Sequence, residues 1–191
     1  AKKSLDKVWF GIFLLACVPV YTAVMLGPWG WLKNTAYAVG TTTWFGYAIA
    51  FLAITLLIIP GLYTLSVLTG WLWSGKSQGF QISFINFGYA LTPLGMLSWI
   101  AFTISFAFNK LAYIWPVLSD PFGWGWNLFG TARWPWQPYL VSMTPLLQVL
   151  ALFTGLIWTG VLLYKNHSVK PAFPVWLFVC TYSVVLLWLL L

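Results

Sequence analysis

Glutamate is missing from this 191-residue chain, and aspartate occurs only at Asp6 and Asp120. Charged residues make up 6% of the chain, where a soluble domain carries about 25%. Such a chain cannot clothe a water-facing surface, so lipid is its main solvent. No ionisable residue lies within the core of an apolar run. Proton pumps and ion-coupled transporters hold intramembrane Asp, Glu, Lys or His, because those groups bind or relay the charge. The lack of them argues against both classes. Histidine occurs once, at His167 in the connector YKNHSVKP. One loop imidazole cannot ligate a bundle haem from both faces. Cysteine is nearly absent too. Cys17 and Cys180 each sit near the middle of an apolar run, and no C-x-x-C exists, so no zinc or iron–sulfur framework is visible. The two thiols read as small buried hydrophobes, able to meet only if the first and last helices are neighbours.

The net charge of +7 raises nucleic acid as a partner, and the pattern argues against it. Phosphate binding needs basic residues gathered into a stripe. Here they stand singly or in pairs at the ends of apolar runs, as membrane topology requires.

What is present is hydrophobic length. A spanning helix needs about 20 apolar residues. Five runs qualify: 8–26, 44–72, 87–108, 139–163 and 172–191. The expected fold is an all-α integral membrane protein, one domain of about five transmembrane helices with Trp-rich interfacial loops. The first run is as long as a span and lacks a cleavage site, so it is not read as a signal peptide. With five spans, Lys2, Lys3, Lys7, Lys76, Lys165 and Lys170 share one side, and Lys33, Lys110 and Arg133 the other. The positive-inside rule then places the N-terminus in the cytoplasm.

Proline falls inside the expected spans at Pro19, Pro60, Pro93 and Pro145. Each frees a backbone carbonyl that must find a partner in lipid, which predicts packing against protein at those points. Gly46 with Ala50, and Ala101 with Ser105, form small-xxx-small pairs that would let helices approach closely. The connector after the third run, 115–138, holds most of the stretch SDPFGWGWNLFGTARWPWQPY (119–139), one third aromatic. Trp and Tyr favour the headgroup zone, and Pro121, Pro135 and Pro138 oppose a continuous helix. It reads as an ordered outer interfacial loop, with docking of a partner as a compatible second role. GPWGWLKNTAY after the first run reads as a smaller element of the same kind.

Few side chains remain for chemistry. The third run carries Thr92, Ser98, Thr103, Ser105 and Asn109, and the fourth Ser142, Thr144 and Gln148. Gln148 costs most to bury, so it is expected to face another helix. It could instead bond a quinone or lipid headgroup. The candidate ligand or helix-contact residues are Thr92, Gln148, Asn109, Asp120 and Arg133. No catalytic or metal-binding set is visible.

Three segments occur in order: FGYALTPLGML, SDPFGWGWNLFGT and PLLQVLALFTGLIWTGVLLY. Over 87–163 this resembles the C-terminal membrane region of NapH/NosR-type membrane ferredoxins, polyferredoxin-like proteins of bacterial respiratory chains. Pro93, Gly95, Asp120, Pro121, Gly123 and Gln148 match as scaffold. The family's cytoplasmic cysteine clusters are missing, and Ser98 and Trp99 stand where relatives often place His. The resemblance implies a bacterial inner-membrane bundle associated with electron transfer and transfers no redox residue.

The resulting expectation is a non-catalytic membrane subunit of a larger complex, most plausibly respiratory. Its partners would be other membrane subunits and lipids. It would bind no cofactor by itself, and could line a quinone or lipid site. The alternative is a transporter or channel for a neutral or lipidic solute, against which stands the lack of an internal repeat. A lipid-modifying enzyme would need a nucleophile with a base or metal, and neither is visible.

Overall fold

The computed structural model describes residues 4–26, 30–76, 79–166 and 169–191, the side chains of Trp31, Asn109 and Asn166 excepted. His167, Lys2 and Lys3 lie outside the described residues. All regular elements among the described residues are helices, and five segments are long and apolar enough to cross a membrane: Leu5–Met25, Thr42–Trp73, Phe80–Phe108, Val141–Lys165 and Val169–Leu190. The protein is a multi-pass membrane protein by helix length and hydropathy.

The first span is α1, Leu5–Met25. Its 21 residues reach about 31 Å at 1.5 Å per residue, the thickness of a hydrocarbon core. A short helix, α2 (Gly30–Tyr37), follows where sequence pointed to an irregular interfacial element. The second span opens at Thr41, whose Oγ1 accepts a hydrogen bond from the Trp44 N–H at 3.3 Å and caps the helix. It runs as α3 (Thr42–Leu52), a π-helical turn (Ala53–Ile58) and α4 (Ile59–Trp73). The π turn lies directly before Pro60. Proline cannot donate to the Leu56 carbonyl, and its ring crowds that carbonyl. The Ile59 N–H reaches back five residues to the Ile54 carbonyl, a one-residue slip that relieves the crowding.

The third span begins at Phe80, seven residues before the expected start. It comprises α5 (Phe80–Ala90) and α6 (Thr92–Lys110), jointed at Leu91 just ahead of Pro93. A 3₁₀ turn leads to α7 (Ile114–Ser119), a six-residue helix inside what sequence read as loop. Pro116 is tolerated there because it stands in the first turn, where its missing donor has no partner to lose. The fourth span enters through a 3₁₀ turn, Val141–Met143, into α8 (Thr144–Asn166), and α9 (Val169–Leu190) is the fifth. The side bearing 111–140 is called the loop side below.

The first span is the hub. Half of its central window is buried, against 22–33% for the others. It packs on α4, α5, α6 and α9, while α8 packs chiefly on α6 and α9, and α4 on α9. Two glycines show how close these seams are. A Cβ at Gly70 would overlap the Pro171 carbonyl of α9, and one at Gly160 would lie 2.7 Å from the Trp176 ring. The two small-residue pairs part ways. Ala101 is fully buried under α8. Gly46 and Ala50 stand exposed, with nothing within 4 Å of a Cβ at Gly46.

Candidate functional site

Most polar groups inside the bundle are spent on backbone carbonyls. Pro19 leaves the Leu15 carbonyl, four residues back, without its helical donor. The Tyr182 hydroxyl of α9 donates to that oxygen at 2.9 Å. One residue earlier, Trp99 Nε1 of α6 donates to the Leu14 carbonyl at 3.1 Å. Fully buried Tyr63 donates from α4 to the Phe84 carbonyl at 2.7 Å. These three donors were missed in the sequence reading. For Tyr182 the available signal was Pro19, which marks the carbonyl four residues before it as needing a donor; the Leu14 and Phe84 carbonyls carry no such mark in the sequence.

Gln148 is 1% exposed. Its Nε2 donates to the Ala101 carbonyl at 3.0 Å and to Ser105 Oγ at 2.7 Å. A carbonyl only accepts, so the amide nitrogen must face α6. Gln148 is therefore a clasp between the third and fourth spans. Thr92 is exposed at the start of α6, on the wall of a cleft of about 130 Å³ with Gly11, Gly88 and Trp99. It stands nine residues from Ala101, about 13 Å along the helix. The side chain of Asn109 is outside the described residues.

Asp120 serves its own loop. Oδ1 accepts from the Trp124 N–H at 2.9 Å, and Oδ2 from the Gly125 N–H at 2.8 Å. Ser119 Oγ accepts from the Phe129 N–H, and Thr131 Oγ1 donates to the Trp115 carbonyl at 2.8 Å. The Tyr139 N–H closes the excursion onto the Phe108 carbonyl at 3.1 Å. The loop thus returns to the helix end it left, tied at both levels. It presents Phe122 stacked on Trp124 (4.9 Å), with Trp126 edge-on (5.0 Å). Arg133 is exposed on the same loop. Thr92, Gln148 and Asp120 belong to three different settings, and the five candidates do not form one site.

Between the spans lies an apolar groove of about 450 Å³, walled by α1, Ala50 of α3, the π turn, the first turn of α4 and α9, and bounded by Leu32 of α2. Its floor is buried: Val20, Ala23, Ile59, Tyr182 and Leu189. Its rim is exposed: Leu62, Val185 and Trp188. The wall holds two hydroxyls, and both are committed. Thr181 donates to the Leu177 carbonyl at 2.9 Å, and Tyr182 to Leu15. The groove can take hydrocarbon and offers those hydroxyls to nothing polar.

Cys17 and Cys180 are free thiols, although α1 and α9 pack together. Among the described residues no three His, Cys, Asp or Glu side chains converge. No protein-family model, curated protein or solved structure matches the chain.

Proposed function

We propose that this chain is a non-catalytic subunit of a larger membrane complex, in which its helices anchor and pack against partner subunits. The supporting observation is the loop-side part of the second span. Between Thr42 and Leu52 no residue is buried, and Gly46 and Ala50 lie on that open face. Small residues on an open helix face let a neighbouring backbone approach, which is how helices associate in lipid. The interior adds support, since Gln148, Tyr63, Tyr182 and Trp99 are all used to tie helices together. The association with a respiratory complex rests on the sequence resemblance over 87–163. The placement in a bacterial inner membrane rests on the same resemblance, the N-terminus-inside orientation on the lysine bias, and the interfacial seat of the aromatic loop on Trp and Tyr preference.

The test is mild-detergent extraction from native membranes, then blue-native electrophoresis and mass spectrometry of the band. Co-migration with an oxidoreductase is expected, and Gly46→Trp should weaken it. Migration of the chain alone would overturn the subunit reading.

A further inference from the structure

We infer that the groove between α1, the π turn and α9 is a seat for one acyl chain of an anionic phospholipid. The inference rests on the chain being a membrane protein; because Ala50, on the face proposed above for a partner, also lines the groove, the seat is tested on the chain alone.

Shape selects the occupant. The groove follows α9 from Phe178 to Leu189, about 16 Å at 1.5 Å per residue. About 450 Å³ over that length leaves a cross-section of roughly 27 Å². A partner helix about 10 Å across could lay only single side chains into a slot of that width, whereas an extended chain can fill its length. A polymethylene chain, with neighbours about 4 Å from its carbons, needs roughly 20 Å². A groove of this section cannot stay empty in a bilayer without its lining losing dispersion contacts.

Chemistry narrows it further. A quinone ring needs a donor for its carbonyls, and the groove exposes no polar atom: both hydroxyls in the wall are bonded to helix carbonyls, and the Trp188 indole N–H is not presented to it. Saturated hydrocarbon needs none. Burial alone gives little selectivity inside a membrane, because surrounding lipid is as apolar as the wall. The headgroup must supply it. Leu32 bounds the groove at its loop-side end, and the next residue of α2 is the exposed cation Lys33. A cation at headgroup level favours an anionic lipid. The π turn is the device that makes the seat, since Ile54 and Ile59 flank the slipped bond and both line the wall.

The experiment uses the full chain alone, reconstituted in phosphatidylcholine vesicles containing photoreactive-acyl phosphatidylglycerol or phosphatidylcholine. Cross-links are mapped by mass spectrometry. Cross-links should concentrate on Val20, Ile54 and Ile59, with roughly fivefold preference for the anionic probe. That preference should vanish in Lys33→Gln. Ala23→Phe, which fills the floor, and Val185→Trp, which narrows the rim without touching the core, should each cut groove labelling at least threefold. Labelling of the outward residues Phe10 and Ile157 should not change. Even labelling around the bundle, or groove labelling indifferent to both variants, would overturn the seat. Equal capture of the two lipids would overturn the anionic assignment, and stronger capture of a prenylquinone probe would overturn the acyl one. Failure of the chain to co-migrate with a complex bears on none of these readouts.

Discussion

The two ends of the second span have similar composition and different circumstances. Ile59–Trp73 is held: Ile59, Pro60, Tyr63, Val67 and Gly70 are buried against α5 and α9. Thr42–Leu52 buries nothing, and the π turn beyond it buries only Thr55. In lipid, apolar side chains gain little by leaving hydrocarbon for a protein interior. Apolar content therefore cannot decide which part packs. Close backbone approach and a hydrogen bond across helices decide it, and only the second part has both.

The sharpest way to break this comparison is a methyl group at each end. Gly70→Ala drives a Cβ into the Pro171 carbonyl and should cost about 1–3 kcal/mol. Thermal unfolding in detergent would show it as a fall of several degrees. Gly46→Ala has open space and should stay within about 0.5 kcal/mol. Equal losses at the two glycines would mean that the loop-side part is packed after all.

A smaller contrast uses hydroxyls. Tyr63→Phe removes the donor to Phe84 and should cost about 1 kcal/mol. Tyr47→Phe, on the open part of the span, should leave the unfolding midpoint unchanged. A midpoint that moves equally in both would remove the distinction.

The smallest effect tests why the hub helix holds its partners. Tyr182→Phe should cost about 0.6 kcal/mol, the average for hydrogen bonds between membrane helices. In a Pro19→Ala background the Leu15 carbonyl regains a helical donor, so the same change should cost less. A double-mutant cycle reads the difference as coupling, and strict additivity would sink the account of Pro19.

Much of the fold was legible in the sequence. Five apolar runs became five spans because run length alone measures a bilayer. Gln148 was legible as a helix contact, because a primary amide in lipid has few places to go. Tyr182 was not, since a tyrosine in an apolar run reads equally well as an interfacial ring. Asp120 was singled out as a candidate contact residue, yet both its oxygens hold backbone N–H groups a few residues on. That use depends on the turn formed by residues 120–125, which the residue type does not reveal. The start of the third span was misplaced because FQISFI is mixed in polarity. The helix begins there anyway, since Ser83 and Phe84 are buried against neighbouring spans.

By itself, then, the sequence determined solvent, number of crossings and the lack of Asp, Glu, Lys, Arg and His in the middle of them. All three follow from composition and run length, which report what each segment pays or gains in water. The tertiary structure alone decided that α1 is the hub, that one small-residue pair packs while the other stays open, and that a groove remains beside the π turn. Those outcomes depend on which backbones approach and which carbonyls find donors, and five runs of nearly equal hydropathy carry no record of that.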